Sequence, residues 1–279
     1  TQAPSGASEP APAAEPSAPP APAPATTAPA LGSSAPAEVR GQVWQLSQDP
    51  QGCRHVQKVI EEATDDERAA MAAELRGHAN DALRSPHANY VLQKLIMLAP
   101  PEAAEFVAEE LDREATLQAA KHKFGCRIIQ RLIERLPPAS VRHIVEAVLD
   151  NFSAMARHPY GNYVVQNIML NGLAEQRERV LRSIEGDIRG LTSDSFGCTV
   201  VVAAVSKGPP RDQEVMARAL LRDEGLLVFA ACTRHGHVAV SRVLQLLQGQ
   251  ELDEARALLN AHMQALQASR FGQNVAALL

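Results

Sequence analysis

The feature that most constrains this chain is a six-residue signature, Gly161-Asn162-Tyr163-Val164-Val165-Gln166, that returns at a nearly fixed interval. Clear versions are Gly52-Cys53-Arg54-His55-Val56-Gln57, Ala88-Asn89-Tyr90-Val91-Leu92-Gln93 and Gly125-Cys126-Arg127-Ile128-Ile129-Gln130. Fainter ones start at Gly197-Cys198-Thr199, Gly236-His237-Val238 and Gly272-Gln273-Asn274. Counted from the small first residue, the steps are 36, 37, 36, 36, 39 and 36 residues. Self-similarity in this range is the mark of stacked helical units, each too small to bury its apolar face alone. The array spans residues 39–279, with units near 42–77, 78–113, 114–151, 152–186, 187–225, 226–261 and a partial one at 262–279.

Composition agrees with helices packed on helices. Apolar residues make up 46% of the 279, yet only 4% are aromatic, so burial rests on Leu, Val, Ile and Ala. Each unit divides alike. In the first, a short helix from Gln42 to Leu46 leads through Ser47-Gln48-Asp49-Pro50-Gln51 into a signature helix from about Gly52 to Glu62. A third helix, Asp65 to Leu75, carries Ala69, Ala72 and Leu75 as its buried stripe. Pro100-Pro101, Pro137-Pro138 and Pro209-Pro210 recur where the third helix begins, and a proline in a first turn forfeits no hydrogen bond.

Residues 1–38 are Ala, Pro, Ser and Thr with few charges. Such a segment has no apolar face to bury and reads as a disordered tether. It lacks the Arg-rich pattern of a transit peptide and the apolar stretch of a secretory signal, and no run of 18 apolar residues suggests a transmembrane helix. Cys53, Cys126 and Cys198 hold equivalent places in alternate units. At roughly 8–10 Å per packed helix they stand about 16–20 Å apart, beyond the roughly 7 Å Cα limit of a disulfide. No Cys pair has metal spacing, and His122, His158 and His235 lack nearby Cys or carboxylate partners, so these histidines read as core or loop residues and no metal or cofactor is expected. Without a Ser/His/Asp set, a phosphate-binding Gly-rich loop or paired acids, an enzyme is not expected either.

Within each signature the first residue and the Gln four positions on share one helix face, while the second projects about 100° round the helix. Val56, Val91, Ile128 and Val164 take the buried side. A planar base needs both parts: Tyr or Arg to stack on, and amide donors and acceptors for its Watson–Crick edge. A lone Asn and Gln four apart is an ordinary solvated pair, but four sets in register with Arg or Tyr always second are a pattern. Lys121, His122, Lys123, Arg157 and His158 gather before the signature helices, and Lys58, Lys94 and Arg131 lie along them. Glu61-Glu62 and Asp65-Asp66-Glu67 are expected on the opposite side, giving a positive concave strip on a chain of net charge −5.

On these residues the chain resembles the Pumilio, or PUF, family of RNA-binding repeat proteins over residues 39–279. The resemblance implies an all-α, right-handed α-solenoid of three-helix, armadillo-like repeats, about six and a half in number. It implies that Cys53 with Gln57 and Cys126 with Gln130 read adenine, and that Asn89 with Gln93 and Asn162 with Gln166 read uracil. Arg54, Tyr90, Arg127 and Tyr163 would stack. Because such repeats run antiparallel to RNA, repeats one to four would read 5′-UAUA-3′ in single-stranded messenger RNA. The expected setting is a cytoplasmic monomer regulating mRNA stability or translation, with effector proteins on its convex face. Alternatives are a nucleolar relative acting in ribosome assembly and a protein-binding scaffold. Repeat five departs from the pattern with Cys198, Thr199 and Val202, repeat six with His237, Val238 and Ser241, and repeat seven with Gln273, Asn274 and Ala277; these are expected to face RNA weakly. The sequence given stops soon after the seventh signature without a closing helix. Solenoids normally end in a repeat with a polar outer face, so further sequence or another surface is expected to complete the array.

Overall fold

The computed structural model describes residues 38–223 and 225–279; the expected disordered tether, but for its last residue, lies outside them. The described residues are helical without a strand, and they repeat a three-helix unit as the signature demands. Repeat one consists of Val43–Ser47, Pro50–Glu62 and Asp65–Ala73; repeat two of Ala79–Ala82, Ala88–Leu98 and Pro101–Glu109. Repeat three has Arg113–Ala120, Gly125–Arg135 and Arg142–Asp150, and repeat four Phe152–Ala156, Gly161–Asn171 and Ala174–Glu185. Ile188–Ser193, Gly197–Ser206 and Pro210–Arg222 form repeat five, and Leu226–Ala231, Gly236–Leu246 and Gly249–Ala261 repeat six. Met263–Ala268 and Gly272–Ala276 follow as the start of a seventh.

Each second helix packs on the second helix of the next repeat, and each third helix from repeat three to repeat five does the same. Val56, Val91, Ile128, Val164 and Val200 point from the second helices into one continuous core and are fully buried. The small residue at the head of the signature is there because the first helix crosses it. A Cβ on Gly125 would stand 2.6 Å from Ala119 O and 2.9 Å from Ala119 Cα, with backbone on both counts. Repeat two accommodates Ala88 at this place, where its first helix is only four residues long.

Some expected boundaries shift for identifiable reasons. The first signature helix begins at Pro50 rather than Gly52 because the Asp49 carboxylate accepts from Gln51 N and Gly52 N at 2.9 and 2.7 Å, with Pro50 in the first turn. The third helix of repeat one opens on a Thr64/Glu67 capping box and ends at Ala73, with Met71 and Ala72 buried and Ala69 only half-buried. Pro101 and Pro210 start helices as expected, whereas Pro137-Pro138 does not: a turn over 138–141 intervenes and the helix starts at Arg142.

Ion pairs within and between repeats run along the third and first helices. Asp150 receives Arg113 at 2.7 Å and Arg179 at 2.5 Å, and Arg179 also reaches Glu146 at 2.6 Å. These bonds, Arg179 first, hold the Asp150 carboxyl below its ordinary range. Further pairs are Arg177 with Asp212 and Arg218 with Glu251. Exposed pairs of this kind contribute little singly; those of Arg179, Arg177 and Arg218 join successive third helices. No described helix is long and apolar enough to cross a membrane.

Candidate nucleic-acid interface

What holds every second helix at a constant pose is a cap that sequence reasoning overlooked. Three residues before the small residue stands a hydrogen-bond acceptor in all seven repeats: Asp49, Ser85, His122, His158, Asp194, Thr233 and Ser269. Ser85 Oγ accepts from His87 N and Ala88 N at 3.2 and 3.0 Å, and Asp194 Oδ1 from Phe196 N and Gly197 N at 3.0 and 2.7 Å. Thr233 and Ser269 receive Gly236 N and Gly272 N. His122 and His158 do the same through Nδ1, at 3.2–3.3 Å from the amides of Phe124, Gly125, Tyr160 and Gly161. They are therefore neither core nor plain loop residues. The signal was available, since these positions follow the same steps as the signature itself.

The first member of each set lies at the floor of the face. Cys53 is 4% exposed, Asn89 1%, Cys126 1%, Asn162 1% and Cys198 3%. The glutamines Gln57, Gln93, Gln130 and Gln166 are half-buried and rise from that floor. Their amides are oriented in two ways. In the Cys repeats, Gln57 Nε2 donates to Cys53 O and Gln130 Nε2 to Cys126 O, both at 3.0 Å. In the Asn repeats, Gln93 Nε2 donates to Asn89 Oδ1 at 2.9 Å and Gln166 Nε2 to Asn162 Oδ1 at 3.0 Å. The asparagine amides are themselves anchored, Asn89 Nδ2 to Ser85 O at 2.7 Å and Asn162 Nδ2 to His158 O at 2.9 Å. Burial pushes the Cys126 and Cys198 thiols up to about 11; they stay neutral near pH 7 and offer no thiolate nucleophile.

The flat groups form a second row. Arg54 and Tyr90 are exposed, Tyr90 by 50%, while Arg127 and Tyr163 are half-buried because the Arg127 guanidinium lies over the Tyr163 ring, 5.3 Å from its centroid. A base inserted between two flat groups needs a gap of about 7 Å, twice the roughly 3.4 Å stacking rise, so these two must part to admit one.

Beyond repeat four the face changes character. Thr199 Oγ1 turns back to repeat four, 3.2 Å from both Gln166 Nε2 and Asn162 Oδ1. With Gln166, Val202, Lys207 and Val238 it lines a cavity of about 150 Å³. In repeat six His237 stacks on Phe271, 5.4 Å between centroids, and Ser241 Oγ is tied to His237 O at 2.9 Å. Gln273 and Asn274 are exposed, and Gln273 Nε2 donates to Gln267 O.

The expected separation of charge fails at Glu61. Lys94 pairs with Glu61 of the preceding repeat, Arg131 with Glu134 at 2.5 Å, and Arg157 with Asp187 at 2.5 Å. A residue and the one three positions on share a helical stripe, so Glu61 and Glu134 fall beside Lys58 and Arg131 rather than behind them. The exposed Lys58, Lys121 and Lys123 remain, with Lys123 Nζ 4.6 Å from the Phe124 ring centroid.

One planar group and one oriented amide in each of repeats one to four, on a stack of second helices, define an α-solenoid whose face is made of regularly spaced, single-residue contacts. The family pattern described as "Pumilio-family RNA binding repeat" matches residues 42–76, 85–111, 117–149 and 151–185, the four repeats with complete sets. Among curated proteins, "Putative pumilio homolog 8, chloroplastic" of Arabidopsis thaliana is 22% identical over 242 residues, 86% of this chain and 46% of its own. "Pumilio homolog 1" of Xenopus laevis is 34% identical over 101 residues, 36% of this chain and 8% of its own. The chain thus spans less than half the length of these relatives. Among solved structures, PUF-8 in complex with PBE-RNA superposes with a TM-score of 0.78 at 19% identity, covering 86% of this chain and 71% of that one. The Puf3 RNA-binding domain bound to a Cox17 RNA 3′ UTR recognition sequence, site B, gives 0.76 at 19% identity, covering 87% and 75%. The chain belongs to the Pumilio (PUF) family of repeat proteins.

Proposed function

We propose that this protein binds single-stranded messenger RNA in a sequence-specific way, reading a 5′-UAUA-3′ element with repeats one to four and thereby controlling the transcript's stability or translation. The observation that carries this reading is the row of four glutamine amides, each fixed in orientation by a buried Cys or Asn of its own helix and each flanked by an Arg or Tyr. A base meets there the two things it needs, a flat face and a polar edge. Family membership and the RNA-bound PUF structures add support. On the same reading the chain acts in the cytoplasm as a monomer, with effector proteins on its outer face. Bases 5′ of UAUA meet repeats whose sixth signature positions are Val202, Ser241 and Ala277, and contribute chiefly through their phosphates. Titration of labelled RNA containing 5′-UAUA-3′ against poly-C of the same length tests this. Mismatches commonly cost about 1–3 kcal/mol each, so the UAUA oligomer should bind more than a hundredfold tighter; equal affinities would reject the reading.

A further inference from the structure

Repeats two and four carry identical pairs, Asn89 with Gln93 and Asn162 with Gln166, and by residue identity they address the same base. Their hydrogen bonds differ. Gln93 Nε2 spends one hydrogen on Asn89 Oδ1; its other N–H and its Oε1 carry no bond among the described residues. Gln166 Nε2 makes the same donation to Asn162 Oδ1 and lies 3.2 Å from Thr199 Oγ1 as well.

The orientation of these groups is determined by their partners. Asn162 Nδ2 is held by two carbonyls, His158 O at 2.9 Å and Pro159 O at 3.0 Å, so the asparagine oxygen must face Gln166, and Gln166 must answer with its nitrogen. Thr199 has one hydrogen, and its nearest acceptor is Phe196 O at 2.7 Å, against 3.2 Å to Asn162 Oδ1. Its oxygen is then left to receive the second N–H of Gln166. Both donors of Gln166 are thus spent inside the protein, and only the acceptor Oε1 is left for a ligand. Gln93 keeps one donor and one acceptor.

We propose that Thr199 determines specificity in repeat four, making its glutamine an acceptor-only reader that favours guanine relative to uracil more than repeat two does. Uracil presents a single donor, N3–H, between two carbonyl oxygens; an acceptor-only Gln166 takes that one bond and leaves both oxygens without a donor. Guanine presents N1–H and N2–H side by side, and the two lone pairs of Oε1 can receive both. Thr199, which has no flat face to stack, thus acts through Gln166 as a positioning residue. The inference rests on the proposed reading of the second-helix face as the base-reading surface.

The test uses the chain as it stands and three RNAs of one length: a UAUA oligomer, and two in which either the first or the second uracil is replaced by guanine. Reading antiparallel, the first uracil meets repeat four and the second repeat two. Wild type, Thr199→Val and Thr199→Ser are compared. Guanine opposite repeat two should weaken binding by more than about tenfold in all three proteins, in the range of a base mismatch. Opposite repeat four the loss should stay under about threefold in wild type and in Thr199→Ser, which keeps the hydroxyl. It should rise to about tenfold in Thr199→Val, which keeps the shape. Ratios taken within one protein cancel any general loss of folding. Equal penalties at both positions in wild type, or an unchanged repeat-four ratio in Thr199→Val, would overturn the role of Thr199. Binding no tighter than that of poly-C by all three proteins would overturn the reading beneath it too.

Discussion

His158 ties the pose of repeat four's second helix to pH. Its Nδ1 accepts from Tyr160 N at 3.2 Å and Gly161 N at 3.3 Å, which requires the ring to be unprotonated at that nitrogen. Burial, and then the Lys121 charge, hold the ring below the ordinary imidazole value. Above the ordinary value near 6.5 the ring is neutral in both folded and unfolded chains and the cap is intact. As pH falls through that value the unfolded chain takes up the proton first, so stability declines, and the decline is complete below the folded-state value. At pH 8, His158→Ala should cost about 0.5–2 kcal/mol, the usual worth of a cap, or about 2–4 °C of melting temperature per kcal/mol for a fold of this size. His158→Asp imports the cap that Asp49 and Asp194 supply elsewhere, and it titrates far lower. Thermal melts of wild type and His158→Asp from pH 8 to 5 should therefore run parallel above about pH 7 and diverge below it, with wild type falling faster. Parallel curves throughout would refute the argument that the neutral ring is the cap.

Tyr90→Ala should weaken all RNAs by a similar factor, because a base–aromatic stack is worth roughly 1–3 kcal/mol and tolerates any base; a loss confined to one base identity, in filter binding with single-substitution RNAs, would contradict it. Gly125→Ala drives a Cβ to 2.6 Å from Ala119 O and should cost about 1–3 kcal/mol as overpacking, measured by denaturant unfolding, whereas Ala88→Gly in repeat two should relieve no such clash.

The architecture was legible because its cause is periodic. A small residue where the first helix crosses, a β-branched residue three or four positions on and an acceptor three positions before must recur together, and any one gives the period. Boundaries were legible where one residue decides them, as Pro101 and Pro210 do, and not where Pro137-Pro138 leads into a turn whose length depends on packing. Spacing along one helix placed Cys or Asn and Gln on one face, yet it could not show that Asn89 and Asn162 lie beneath their glutamines, because depth depends on the neighbouring helix. The charge pattern failed at Glu61 for a similar reason: Lys94 finds it 33 residues away, a partner visible only once the repeats are stacked.

This dependence on neighbours bears on how a base identity is encoded. On the proposed reading, the floor residue acts mainly by choosing which oxygen holds the glutamine nitrogen. A cysteine cannot compete for that nitrogen, since Cys53 Sγ itself donates toward Pro50 O at 3.4 Å and Cys126 Sγ toward Lys123 O at 3.6 Å. The amide therefore folds back on the carbonyl of its own helix, four residues earlier. An asparagine brings an oxygen further out, at the end of a side chain pinned by the carbonyl of the preceding turn, and the amide swings to it. The same glutamine then shows its free donor and acceptor at two different angles to a base held by the same stacking groups. Hydrogen bonds fall off steeply with misalignment, so an amide angle is enough to separate a purine edge from a pyrimidine edge without either Cys or Asn emerging from the floor. Thr199 adds a third holder from the next repeat, and a code written as residue pairs is complete only where that neighbouring residue leaves the glutamine alone.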